Sequence, residues 1–322
     1  MSSIRAPVRL LWPGLLVAAT LLAAAAIGTA GESPVTLKLA TWNLEWLLAP
    51  VSFKELKGDC TRDDRSHRRN PRSIPCDVAA TLERSATDFA GMARVARALD
   101  ADVVAVEEVD GPEAARQVFP GHEFCFTGGR VVQNTGFAIR RGVPFRCGAD
   151  VMELSLGDEL RRGATVVLYP DTARELHLLA VHLKSGCWRQ ALDSKAHACE
   201  RLARQAPALH DWVASQQRAG HRFAVLGDFN RDLLAERADG LWILLGADSP
   251  ESALVNTASR AAFRNCYAGQ THTGYIDYIL LGSTLAPALV SGSFERLTYS
   301  ATDAWRLKLS DHCPVAIRLR LD

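Results

Sequence analysis

The sequence predicts an α/β protein with one main domain. Three observations carry that prediction. Short apolar runs of four to seven residues recur along the chain, each bounded by Gly, Pro, Asp or Asn, as strands are. Between some of them lie longer stretches whose apolar residues return at three- and four-residue spacing, as on a helix face. The 322 residues are 48% apolar and 23% charged, an ordinary globular balance in a chain long enough to bury a full core.

Strands are expected over residues 35–41, 103–106, 135–139, 164–169, 176–181, 223–226, 275–281 and 315–319. Phe89, Met92, Ala93, Val95, Ala96 and Leu99 mark one helix, and Leu202, Ala206, Leu209, Trp212 and Val213 another. Both faces read as core and carry no chemistry. Residues 54–80 and 186–199 read as insertions, the first rich in charge at Asp63-Asp64-Arg65 and Arg68-Arg69. No repeat or linker divides the chain.

The first thirty residues read as an export signal. Arg5 and Arg9 precede an apolar stretch over 10–27, and Gly28-Thr29-Ala30-Gly31 supplies small residues for cleavage after Ala30. That leaves residues 31–322 as a secreted or periplasmic domain. The alternative is an uncleaved membrane anchor, although Trp12-Pro13-Gly14 interrupts its start. Without Arg5 and Arg9 the chain carries 35 bases against 36 acids, so no global field attracts polyanions and a nucleic acid needs a local basic patch.

Eight cysteines follow the leader, an even number that suggests disulfides in an exported chain. No Cys-x-x-Cys occurs, which argues against zinc or redox chemistry. Cys60–Cys76 and Cys187–Cys199 are the leading pairs, since each staples a polar segment. Cys125–Cys147 follows, and Cys266 and Cys313 either pair or stay as buried thiols.

Polar clusters sit at the strand ends, where α/β sheets present their sites. Asn43 and Glu45 alternate with bulky residues in Thr41-Trp42-Asn43-Leu44-Glu45-Trp46 and share one face. Glu107 and Glu108 close an apolar strand and, in regular strand geometry, point to opposite sides. His182 ends another strand. Gly227-Asp228-Phe229-Asn230 places a carboxylate and an amide on one side of a bend. Asp277 lies in an apolar run, where an acid is costly to bury without a partner. His312, in Ser310-Asp311-His312-Cys313-Pro314-Val315, is a natural partner. Taken singly, each has a bland reading: a solvated acid, a core histidine, an Asx turn, a capped turn.

In order and spacing together, these motifs resemble the endonuclease/exonuclease/phosphatase superfamily, which includes deoxyribonuclease I and exonuclease III. The resemblance runs from about residue 36 to residue 320. It implies a four-layered α/β sandwich, with two packed mixed sheets flanked by helices and the site at one end. It implies Glu108 as the main metal ligand, with Glu45, Asn43 and Asp311 close by. Asp228 is then the residue that orients or deprotonates the attacking water, and Asn230 positions phosphate or nucleophile. His312, oriented by Asp277, is a second catalytic histidine, and His182 contacts the phosphate. Asn43 and, less directly, Arg162 are candidate phosphate contacts.

The physical logic agrees. A phosphodiester anion repels its nucleophile, and a hard cation held by oxygen ligands offsets that charge. An oxygen-dominated set favours Mg²⁺, with Ca²⁺ or Mn²⁺ as alternatives. Export and the bases Arg161, Arg162, Lys184 and Arg189 point to a nuclease acting on DNA or RNA, with a monomer expected. The alternative is a sphingomyelinase-like or inositol-phosphate-directed enzyme. Membrane contact would then need exposed apolar loops, for which Trp46-Leu47-Leu48 and Leu233-Leu234 are the candidates. A catalytically dead binding module is disfavoured because every expected polar position is filled.

Overall fold

The computed structural model describes residues 33–62, 70, 72–234, 239–246, 253–270 and 273–322. The expected leader lies outside the described residues, as do Asp63-Asp64-Arg65 and Arg68-Arg69. Pro34–Asp322 form one unit. The strands are β1 (Val35–Leu47), β2 (Val103–Val109), β3 (His122–Phe126), β4 (Asn134–Arg140), β5 (Phe145–Cys147), β6 (Ala164–Leu168), β7 (Leu176–His182), β8 (Phe223–Asp228), β9 (Val255–Asn256), β10 (Asp277–Leu281), β11 (Glu295–Arg296) and β12 (Val315–Leu321).

They form two six-stranded mixed sheets, ordered β11-β12-β1-β2-β4-β3 and β5-β6-β7-β8-β10-β9. Each sheet has one parallel pair at its centre, β1 with β2 and β7 with β8, and antiparallel neighbours outside. Strands with both faces covered read as near-continuous apolar runs, which is why these central four are so plain in the sequence. The expected strands all form, and β1 runs on to Leu47.

The sheets pack face to face. Leu37, Leu39, Val103, Ala105, Phe137 and Ile139 of the first meet Ala164, Val166, Leu178, Ala180 and Leu226 of the second in one buried core. The outer face of the first sheet, with Ala40, Trp42, Leu44, Val104 and Val106, is covered by the helices Ala86–Leu99 and Pro112–Val118. Helix His197–Arg218 buries Leu202, Ala206, Leu209 and Val213 against the other sheet. This is the four-layered sandwich that the motifs implied.

All eight cysteines are paired, as Cys60–Cys76, Cys125–Cys147, Cys187–Cys199 and Cys266–Cys313. Four disulfides fit an oxidising compartment. Among the described residues no helix is long and apolar enough to cross a membrane.

Candidate functional site

Topology gathers the polar strand ends. In a parallel pair both carboxyl ends leave the sheet on the same side, so Asn43 lies opposite Glu107 and His182 opposite Asp228. Antiparallel neighbours begin where those strands finish. Asp277 opens β10 directly across from Asp228, and His312 precedes β12 beside β1. Gly227 enables the closest approach: at φ 142°, a Cβ there would sit 1.9 Å from the Val181 carbonyl oxygen. Only glycine fits, and it sets the bend from which Asp228 emerges.

Asp228 is the hub and is almost fully buried. Its Oδ2 accepts from Asn43 Nδ2 at 3.1 Å and from Asn230 Nδ2 at 3.0 Å, and its Oδ1 accepts from the Asn230 backbone N–H at 2.7 Å. Asn230 adopts the left-handed region at φ 52°, which lets one residue supply both bonds. Burial, then the charge on Asp277, push Asp228 up to about 7, against the pull of His312.

His312 Nδ1 lies 3.0 Å from both oxygens of Asp277, while its Nε2 faces Asp228 Oδ2 at 3.9 Å. Burial alone would lower its pKa, but Asp277, Asp228 and the Asp277 hydrogen bond outweigh it and hold the imidazole well above its ordinary value. The segment is fixed at several points. Ser310 Oγ donates to the Asn43 carbonyl at 2.7 Å, Trp42 Nε1 and the Tyr299 hydroxyl donate to the His312 carbonyl, and Cys313 is tied to Cys266. His182 sits across from it, with Nε2 3.5 Å from Asp228 Oδ2 and 3.6 Å from Glu108 Oε1. Its buried Nδ1 has no hydrogen-bond partner among the described residues. Burial, then Arg161, hold His182 well below its ordinary value, so it is neutral at pH 7.

Glu45, Glu108 and Asp311 form an acidic group beside this hub. Glu108 accepts from Asn43 Nδ2 at 3.2 Å and from the Trp46 N–H at 3.1 Å, and Glu45 Oε2 accepts from the Asp311 N–H at 3.1 Å. Burial, then Asp311, push Glu45 up to about 7, with Glu108 adding to the repulsion. Carboxylates that repel one another this way are suited to a hard cation, so the donor set fits the expected metal. Asp228, Asp277 and His312 also bring one ligand atom each to within 4.8 Å of one another, a second grouping able to hold an ion. With Nδ1 taken by Asp277, His312 could offer only Nε2 there, and an oxygen-rich set suits Mg²⁺ better.

Both neighbouring glutamates turn to the site, contrary to regular strand alternation. Glu107 continues the inner face and is fully buried, accepting from Thr41 Oγ1 at 2.9 Å. Glu108 takes a left-handed backbone, φ 61°, where β2 slips register against β4, and this turns it inward as well. Burial, then Asp277, hold Glu107 well above its usual range, so it is a neutral acid beneath the charged groups.

Two arginines complete the frame. Arg84 is buried, and its guanidinium donates to the carbonyls of Leu44, Glu45, Trp46, Lys308 and Leu309. It ties the end of β1 to the segment carrying Asp311 and His312, with Glu45 Oε2 at 3.7 Å. Nothing in its local sequence signals this. Arg161 donates to the Leu183 carbonyl at 2.9 Å, and its charge is felt at Glu108, Asp228 and His182. Arg162 is not brought to the cluster: Asp158 and Asp150 occupy its guanidinium at 2.8 to 3.2 Å. Arg189 is bound to Asp232 and stacked over Trp188. Of the two apolar loops, Leu47, Leu48 and Leu233 are core residues, while Trp46 is half-buried and Leu234 is exposed.

The Endonuclease/Exonuclease/phosphatase family matches residues 40–312. The chain is similar to the AP endonuclease LMAP from Leishmania major, 16% identical with a TM-score of 0.54 over 89% of this chain and 88% of that one. It is similar to the 3′ phosphatase NExo from Neisseria bound to a product DNA hairpin, at 17% identity and a TM-score of 0.51 over 88% and 99%. The human Nocturnin catalytic domain with a bound sulfate gives 14% identity and a TM-score of 0.52 over 90% and 97%. No curated protein matches by sequence. A family match across most of the chain, on a sandwich shared with these structures, establishes that the protein belongs to the endonuclease/exonuclease/phosphatase family and is a phosphoesterase of that family.

Proposed function

We propose that the protein is an exported, divalent-metal-dependent nuclease that hydrolyses phosphodiester bonds of DNA or RNA. The observation that carries this reading is the pairing of two differently poised groups. The Asp277-bound His312 and the half-neutralised Asp228 face each other 3.9 Å apart, beside an oxygen-rich acidic group. The basic residues Arg161 and Lys184 at the rim, and relatives that include an AP endonuclease and a phosphatase seen with DNA, support nucleic acid as the substrate. Paired cysteines support export, with residues 1–30 as the removed leader and 31–322 as the catalytic domain.

Glu108, Glu45, Asp311 and the Asn43 amide oxygen would hold Mg²⁺, or Ca²⁺ or Mn²⁺, and the bound ion would offset charge on the phosphate. Asp228, with a pKa near neutrality, takes a proton from the attacking water as the new P–O bond forms. Asn43 and Asn230 fix the carboxylate that does this. His312, charged at neutral pH, gives its Nε2 proton to the leaving oxygen as the ester bond breaks. Asp277 fixes the tautomer and stabilises the imidazolium. Neutral His182 and Arg161 contact the non-bridging oxygens.

Supercoiled plasmid incubated with the protein tests the reading. Relaxation is expected with Mg²⁺, none with chelator, and a strong loss in His182→Ala. Hydrolysis of sphingomyelin with no nucleic-acid cleavage would overturn it.

The same charges predict a pH effect on stability. Glu45 and Asp228 have raised folded pKa values, so between about 4 and 7 the folded state binds more protons than the unfolded one. Stability of the metal-free protein therefore falls as pH rises through that window. His312, also raised, extends the fall above 6.5, while His182 and, away from the site, His122 and Asp88 act in the opposite sense. Moving one carboxyl from 4.5 to about 7 corresponds to roughly 3 kcal/mol. Denaturant melts at pH 5 and pH 7.5 in chelator should show the loss, and Mg²⁺ should reverse it at pH 7.5.

A further inference from the structure

Beside the acidic group lies a cleft of about 540 Å³, which shares Trp46, Arg161 and Lys184 with the rim of the site and extends to Arg62, His197 and Arg201. Its outer wall is formed by Thr61, Arg62, Pro75 and Cys76, next to the Cys60–Cys76 bridge. Four cationic side chains line it against two carboxylates, Asp77 and Glu159. Glu159 is already engaged, accepting from Arg201 Nη2 at 2.7 Å.

Two buried donors there lack acceptors. The Nε–H groups of Arg161 and Arg201 have no hydrogen-bond partner among the described residues, although the Arg201 side chain is only 10% exposed. Arg161 makes no ion pair among the described residues. Arg161 and Arg201 stand close enough for their like charges to repel, and an anion held among the cationic side chains of the cleft would offset that repulsion. The backbone adds to the same field. Helix His197–Arg218 opens at this cleft, and its N-cap, Ala196, provides no capping side chain. The N–H groups of Cys199 and Glu200 bond the Ala196 carbonyl, so the helix contributes chiefly the positive end of its dipole.

We propose that this cleft is a subsite for a second phosphate of the substrate, the next along the strand from the scissile one. Arg161 stands between the two positions, Arg201 and the helix N-terminus bind from beneath, and Arg62 closes the outer side. This rests on the phosphodiesterase reading and narrows it to substrates carrying more than one phosphate, as a nucleic-acid strand does and a simple phosphodiester does not.

Titration calorimetry with inorganic pyrophosphate in chelator reads the cleft without catalysis, because the metal-free carboxylates next to it repel that anion. The wild-type protein is expected to bind. Arg201→Gln and Arg62→Gln are each expected to weaken binding tenfold or more. Arg62 is exposed, so its variant tests the cleft even where loss of the Arg201–Glu159 pair disturbs folding. In the same variants, the ratio of kcat/KM for oligothymidylate to that for bis(p-nitrophenyl) phosphate should fall about tenfold. No binding by the wild type, binding unaltered in both variants, or an equal loss on both substrates would overturn the subsite. Failure of the wild type to hydrolyse either substrate would overturn the phosphodiesterase reading instead, and the pyrophosphate titration would still decide the cleft.

Discussion

Replacing His312 with alanine is expected to lower kcat for phosphodiester hydrolysis by about 10²–10⁴ while the protein stays folded. The imidazole is held protonated by its surroundings, through Asp277 at 3.0 Å and Asp228 beyond. Removing it takes away both the proton for the leaving oxygen and the positive charge that faces Asp228. Asp277→Asn provides the sharper test. An acid must be protonated to act, so activity is lost as pH rises through its pKa. Without the Asp277 carboxylate that pKa drops, and the alkaline limb of the kcat profile should move to lower pH. A profile lowered in height but unmoved along the pH axis would show that His312 only packs.

Replacing Cys266 and Cys313 together with serine is expected to cost about 4 kcal/mol of stability, the chain-entropy value for a loop of this span. The bridge closes 47 residues of separation, the longest of the four, and it is adjacent to His312. It also holds the strand start that aligns Asp311 with Glu45. The double variant should therefore lose stability in urea and show a reduced kcat with little change in KM, since the reacting groups are loosened more than the cleft. Cys60→Ser with Cys76→Ser should instead act on KM, because that bridge supports the cleft wall. Equal effects from both pairs would argue against this division.

Much of the site was legible because its chemistry sits in places where the alternatives are expensive. An acid such as Asp277 in an apolar strand demands a partner, and the only histidine preceded by an aspartate, before the last strand, supplies one. Gly227 announces the bend that aims Asp228 into the site. The strands found from sequence are those covered on both faces. Those missed, β3, β5, β9 and β11, are short and lie at or near the sheet edges, where exposure breaks the apolar run. Glu107 and Glu108 were read as pointing apart, because alternation is a rule of regular strands. A positive φ at one residue reverses it, and no pattern in Val-Glu-Glu-Val reveals that. Arg161 and Arg162 are indistinguishable as sequence. The structure separates them because Asp150 and Asp158 neutralise one and leave the other to the site. Arg84 ties the site together through hydrogen bonds to backbone carbonyls, which have no sequence signature.

In the proposed mechanism one end of the sandwich divides into an acidic group that seats a cation and a hub of Asp228, Asn230, His182 and His312 that handles the phosphate. Anomalous diffraction from crystals soaked in Mn²⁺ tests that division directly. A peak is expected in contact with the carboxylates of Glu108 and Glu45. A peak coordinated instead by Asp228, Asp277 and the His312 imidazole would contradict it, since those groups could not then serve as base and acid.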